Sequence, residues 1–256
     1  MNHESMPIVL VEKQYPHVTI VTLNRPERRN ALTIQLLMEL TAVIEAEGAD
    51  ANQRVLILRG AGLAFSTGLD LKATSPVHAT AQMVAKTLVA LSQTRLITIA
   101  AVHGAAVAGG AGLMSACDFV IAAEGTKIGY PEVRRGLVAG LVMPFLRRQV
   151  GERNMRELLL GSELIDAKRA REMGLVNQVV AQGDLMTKAQ KFADSVLQGA
   201  PGALKQTKKL IEELWSSSVK QDVDLALKYH LQARESNEAQ EGIAAFNEKR
   251  KPKWAV

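Results

Sequence analysis

Residues 96–123 read LITIAAVHGAAVAGGAGLMSACDFVIAA, and the reading of this stretch decides the fold. Its opening run, 97–102, is apolar and β-branched, which predicts a strand buried on both faces. Gly104, Gly109, Gly110 and Gly112 interrupt the apolar pattern; a short helix is expected to end near Cys117, and a second strand follows at 119–122. As one block the stretch is longer than the roughly 20 residues that span a bilayer. His103, Asp118 and the central glycines speak against a span, since polar groups and helix breakers are costly in lipid. A buried strand, a glycine turn, a core helix and a further strand explain the same residues.

Working outward, the pattern repeats. Residues 8–11 and 18–23 read as β runs parted by Gln14, Tyr15 and Pro16. Ile34, Leu37, Met38, Thr41 and Ile44 recur at helical spacing, with Thr33 as a cap. Residues 55–58 form another apolar run closed by Gly60, and a helix is expected around 81–93. Strands alternating with helices predict an α/β core. Beyond Gly140 helical patterns dominate, with one strand expected at 176–180 after Gly174, which reads as a helix stop. The segment QGAPG at 198–202 reads as a linker. It divides a core of residues 1–200 from a helical region of residues 201–256, whose apolar stripes need burial on the core or on another subunit.

The 256 residues are 47% hydrophobic and 22% charged, which excludes a disordered or fibrous chain and allows a sizeable core. The single cysteine, Cys117, excludes a disulfide framework and a multi-cysteine metal site. Residues 1–20 lack the charged start, apolar block and cleavage site of a secretory signal, so a cytoplasmic protein is expected. The net charge of +5 comes from 31 basic and 26 acidic residues. It gathers at Lys205, Lys208 and Lys209 and in the tail at Lys249, Arg250, Lys251 and Lys253. No zinc spacing or RNA-binding aromatic signature accompanies these clusters, so they read as solvated helix faces rather than a nucleic-acid surface. His78 and His230 have no partner at metal spacing, and no metal is expected. Ser66 and Ser115 lack a positioned base. Cys117 reads as a core residue, Asp118 as the anchor of a turn, and His103 as structural.

Two glycine-containing segments each follow a predicted strand and precede a helix: residues 64–72, AFSTGLDLK, and residues 102–112, VHGAAVAGGAG. Loops in that position hold ligands in α/β proteins, and unpaired amides at helix starts suit a developing anion. With Leu23-Asn24-Arg25-Pro26, Arg29-Asn30-Ala31-Leu32, Asp118, Gly129-Tyr130-Pro131-Glu132, Gly174-Leu175-Val176 and the closing Phe246, Lys249, Arg250, Pro252 and Trp254, they form an ordered set. On these residues the chain resembles the crotonase, or enoyl-CoA hydratase/isomerase, superfamily.

The resemblance implies a spiral of ββα units, a C-terminal helical region that packs homotrimers or hexamers, and an acyl-CoA thioester as substrate. Coenzyme A would arrive as part of that substrate, and no other cofactor is implied. By motif position, the peptide N–H groups of Leu69 and Gly109 would form an oxyanion hole, each donor stabilising the enolate by about 3 kcal/mol. Arg28 and Arg29 would approach the CoA, Ala64 and Ser66 would line the adenine pocket, and Asp70, Leu71 and Lys72 would run beside the pantetheine. Phe246 and Lys249 would reach a neighbouring subunit's CoA.

The sequence also departs from the hydratase pattern. Hydration uses two carboxylates, one three residues beyond the oxyanion glycine and one after the proline of a Pro-Glu pair. Here the first position is Gly112 and the second is Glu132. A single carboxylate suffices for a double-bond shift, so the resemblance points to Δ3,Δ2 isomerisation with Glu132 as acid and base. Hydration, decarboxylation of a branched or carboxylated acyl-CoA, and non-catalytic binding of acyl-CoA or RNA are the alternatives. Leu137 and Leu141, with Ala139, Val142 and Met143, replace a glycine-rich run and predict a greasier acyl pocket beside Gly112. Arg134 and Arg135 lie nearby.

Overall fold

The computed structural model describes residues 7–73 and 76–255. Residues 1–6 of the N-terminal stretch lie outside them. The chain opens with β1 (Val9–Tyr15) and β2 (Val18–Leu23), paired antiparallel. α1 (Ile34–Ala49) starts at the expected cap, with the Thr33 hydroxyl accepting from Leu36 N at 3.2 Å. Then come β3 (Val55–Gly60), α2 (Val77–Gln93), β4 (Ile97–Val102), β5 (Ala105–Val107), α3 (Gly109–Ser115), β6 (Phe119–Ala123) and β7 (Lys127–Gly129). Two 3-10 turns, Pro131–Arg135 and Gly140–Val142, lead into α4 (Met143–Gln149). The remainder is α5 (Glu152–Arg156), β8 (Ile165–Asp166), α6 (Ala167–Glu172), β9 (Gln178–Val180), α7 (Leu185–Leu197), α8 (Pro201–Glu213), α9 (Val219–Arg234) and α10 (Asn237–Asn247).

The main sheet runs β1-β2-β3-β4-β6-β9, parallel from β2 onward, and a small sheet runs β5-β7-β8. Side-chain alternation along the parallel strands splits the core in two. Val21, Leu56, Leu58, Ala100 and Val102 face α1 and α2, while Val18, Val55, Ile57, Ile99 and Ala101 face α7. Both faces being covered explains why 55–58 and 97–102 are continuous apolar runs.

Three details differ from the sequence expectation. α2 begins at Val77, because Pro76 with φ −57° already has helix-compatible geometry at the cap. β9 begins at Gln178, because the amides of Leu175 and Val176 are still bonded to Ala170 O and close the end of α6. β5, β7 and β8 are too short to leave a periodic signal.

The C-terminal helices lie on the core. Asp118 accepts from Thr98 N at 2.8 Å and Thr98 Oγ1 at 3.0 Å, and it also pairs with Lys208 Nζ at 2.7 Å. It thus joins β4, the start of β6 and α8, and one of the basic-cluster lysines is an internal strut. Arg148 on α4 pairs with Glu212 and Asp222 and donates to Ser217 O at 2.8 Å, with Trp215 stacked 5.0 Å from its guanidinium. Arg250 folds the tail back through Glu241 at 2.7 Å. His103 Nε2 lies 2.9 Å from Gly62 O, and Cys117 is buried, both as read. No described helix is long and apolar enough to cross a membrane.

Asp118→Ala is expected to lower the unfolding free energy by about 2 kcal/mol, since it strands the Thr98 amide and the Lys208 cation. Asp118→Asn keeps a carbonyl acceptor and should cost about half as much. Urea denaturation of the two variants would measure both.

Candidate active site

The site grows from a main-chain junction between three loops. Ser66 N donates to Ala105 O at 3.1 Å and Val107 N donates to Ser66 O at 3.0 Å, a parallel bridge that pairs Ser66 with Ala106. β5 pairs in parallel with β7, Val107 beside Gly129. The segments 66–69, 106–109 and 128–132 therefore leave one edge in one direction. Such closeness demands a residue without a side chain: a Cβ on Gly110 would sit 2.3 Å from Ser66 O. Buried Asn30 props the first loop, donating through Nδ2 to Ala61 O at 2.9 Å and Ala64 O at 2.8 Å.

The Leu69 and Gly109 amides are brought side by side. A Cβ on Gly109 would stand 3.8 Å from Leu69 N, and one on Gly68 would stand 3.1 Å from Gly109 N. Among the described residues neither amide donates to an acceptor, whereas the neighbouring amides of Asp70 and Ala108 do, to Leu32 O at 2.9 Å and Gly129 O at 2.8 Å. Ala108, between β5 and α3, holds φ 51° and ψ −123°, a conformation costing a non-glycine residue about 1–3 kcal/mol. That kink ends β5 and begins α3 within one residue. Two free N–H groups at adjacent positions can bind one oxyanion.

Glu132 enters from the third loop, in the first turn of the 3-10 helix that follows β7. Its Oε2 is buried and has no hydrogen-bond partner among the described residues. Burial pushes its carboxyl up to about 7, while its own amide and the Arg135 cation pull the other way. A carboxyl balanced near neutrality can both take and return a proton. Arg135 is held by Pro131 O at 3.3 Å and lies 4.3 Å over the Phe246 ring. α10 thus buttresses the loop that carries Glu132 within the same subunit.

Gly112 faces a filled space. A Cβ there would meet Val142 Cγ1 at 2.4 Å, with Leu88 Cδ1 at 3.8 Å. The missing carboxylate position is closed by an isopropyl group rather than left open. Leu137 and Leu141 are buried, and Leu137 N donates to Glu132 O at 3.1 Å.

The residues assigned to CoA are distributed unevenly. Ala64 and Ser66 are buried, and the Ser66 hydroxyl is spent on Asn30 O at 2.8 Å and on the Gly68 amide at 3.3 Å. What they offer a ligand is backbone. Asp70 pairs with Arg25 at 3.4 Å, and Lys72 is exposed beside it. Arg28 is exposed at the end of a 3-10 turn, and Lys249 is exposed past α10 at φ 57°. In the single subunit these two make no contact with the Leu69 and Gly109 amides.

Sequence reading placed Val142 in a greasier acyl pocket but missed that it fills the side-chain space at Gly112. It also missed His230 and Arg234, which line a cleft with Leu32, Leu69 and Asp70. Their i, i+4 spacing on one helix face was the available signal. Among the described residues no group of three or more His, Cys, Asp or Glu side chains is arranged to hold a metal.

Comparison with known proteins shows the family. Residues 13–256 match the Enoyl-CoA hydratase/isomerase family. A Thermus thermophilus protein provisionally named an enoyl-CoA hydratase is 38% identical over 256 residues, covering 96% of this chain and 100% of the relative. The Mycobacterium tuberculosis enoyl-CoA hydratase EchA19 is 34% identical and covers 98% and 97% respectively. The crystal structure of an enoyl-CoA hydratase/isomerase from Xanthobacter autotrophicus superposes with a TM-score of 0.86 at 34% identity, covering 94% of this chain and 93% of that one. Matched in sequence and in backbone along nearly its whole length, the chain belongs to the enoyl-CoA hydratase/isomerase family.

Proposed function

We propose that the protein is a Δ3,Δ2-enoyl-CoA isomerase. The thioester oxygen sits between the amides of Leu69 and Gly109, Glu132 removes the C2 proton, and the dienolate is reprotonated at C4 by the same carboxyl. No atom is gained or lost, so no second acid and no cofactor is needed. The observation that carries this reading is a single buried carboxyl, balanced near neutrality, on the loop after β7, while the other acid position is Gly112 with its side-chain space taken by Val142. Hydration is the second reading, favoured by the names of several relatives. It needs a group to orient water, and Val142 stands where that group would project.

Turnover of 3-hexenoyl-CoA to 2-hexenoyl-CoA by the purified protein tests the reading. Glu132→Gln is expected to lower kcat by a factor on the order of 10³. Robust hydration of 2-hexenoyl-CoA that survives this change would overturn the assignment. Because the base must be ionised, kcat/KM should rise about tenfold per pH unit below about 7 and level off above it.

The same raised pKa has a cost in stability. The folded state holds the Glu132 proton more tightly than the unfolded chain, whose carboxyl ionises near 4.5. Stability therefore falls as pH rises from about 4.5 to about 7 and stays lower above. Glu132→Gln, although inactive, should be more stable than the parent at pH 8 by on the order of 2–3 kcal/mol, measurable by denaturant titration.

Gly112→Glu alone should destabilise the protein without conferring hydration, since Val142 occupies the space. Gly112→Glu with Val142→Gly should restore the room and gain 2-enoyl-CoA hydration, read as loss of the conjugated thioester absorbance.

The assembly is part of the proposal. Leu210, Ile211, Leu214 and Trp215 on and just after α8, with Leu225 and Tyr229 on α9, leave apolar surface exposed on the single subunit. A homotrimer or hexamer would cover it and carry Phe246 and Lys249 toward a neighbour's CoA. One cysteine and an acyl-CoA substrate fit a cytoplasmic enzyme.

A further inference from the structure

His230 and Arg234 stand one turn apart on α9 and wall a cleft whose opposite side is Leu69 and Asp70. Leu32 and Val77 contribute apolar surface to it. Arg234 Nη1 is buried and has no hydrogen-bond partner among the described residues. A guanidinium nitrogen withdrawn from water without an acceptor is costly, and a bound anion would relieve that cost.

The acids nearby are already engaged. Asp70 pairs with Arg25 at 3.4 Å and accepts from Lys72 N at 3.3 Å, and Glu235 pairs with His78 at 2.7 Å. His230 is buried with Nδ1 3.4 Å from Val138 O, and burial and the Arg234 charge hold its pKa below the ordinary value. Both effects favour the neutral imidazole over a second cation beside Arg234. The cleft offers one unsatisfied positive charge in a largely apolar enclosure.

Leu32 connects this cleft to the junction of the two amides. It lines the cleft, and its Cδ1 would lie 3.2 Å from a Cβ on Gly109. Leu32 is thus a wall common to the amide junction and to the cleft that Arg234 lines.

We propose that Arg234 binds a carboxylate at the distal end of the acyl chain, so that the preferred substrates are CoA thioesters of short unsaturated dicarboxylic acids. A planar carboxylate suits the guanidinium fork, and its single charge matches the single cation, as a doubly charged phosphate would not. The inference rests on the proposed seat of the thioester at Leu69 and Gly109 and is independent of proton transfer by Glu132.

Saturated thioesters, which cannot isomerise, isolate the binding term. Calorimetry should show adipyl-CoA bound at least tenfold more tightly than hexanoyl-CoA by the unmodified protein. Arg234→Gln should erase that preference, and Arg234→Lys should keep part of it. Equal or weaker binding of adipyl-CoA by the unmodified protein overturns the proposal, whatever the variants do. So does a preference that survives in Arg234→Gln, or a matching loss of affinity for free CoA, which would place the arginine on the CoA phosphates. Absence of isomerisation of both 3-hexenoyl-CoA and the CoA thioester of 3-hexenedioic acid would count against Glu132 alone and leave the binding ratio standing.

Discussion

The structure depends on one close approach: the backbone of residues 66–69 lies against that of residues 106–110 with no side chain between them. Two hydrogen bonds join Ser66 to Ala105 and Val107, and Ser66 O occupies the volume that any Cβ at position 110 would need. Hydrogen-bonding geometry fixes the spacing, and the absence of a side chain permits it. Everything chemical follows from that contact. It places the free amides of Leu69 and Gly109 together, and through β7 it delivers Glu132 to the same edge.

Basicity near neutral pH and stability pull against each other at Glu132. A carboxyl in water would be a weak base near neutral pH, and burial raises its pKa by disfavouring the charge. The fold bears this cost through the elements behind the loop. Arg135 moderates the burial penalty, Phe246 covers Arg135, and α10 carries Phe246. The C-terminal helices thus support the loop that carries Glu132. α9 closes the cleft beside Leu69, and Lys208 and Asp118 tie α8 to the central sheet.

Much of this was legible beforehand. Runs 55–58 and 97–102 read as buried strands because both faces are covered, and Thr33 read as a cap because its hydroxyl has one geometrically available donor. The two glycine segments were recognisable from their place between strand and helix, and Glu132 from the resemblance to the crotonase superfamily. Other features left no local trace. The short strands β5, β7 and β8 exist through pairing with distant partners, and a three-residue segment carries no period of its own. Asp118 looked like a turn anchor until Lys208, 90 residues later, was found against it.

The sequence by itself determined the alternation of strand and helix, the positions where backbone must meet backbone, and the presence of one carboxyl where hydratases use two. These properties are local, written in side-chain period, in glycine and in the identity of a single residue. Tertiary structure alone decided that Val142 fills the space beside Gly112, that Glu132 loses its water, and that Arg234 is left buried without a partner. Each of those depends on which distant side chains share a volume and how much solvent they exclude, and solvation is a property of the assembled fold rather than of any segment within it.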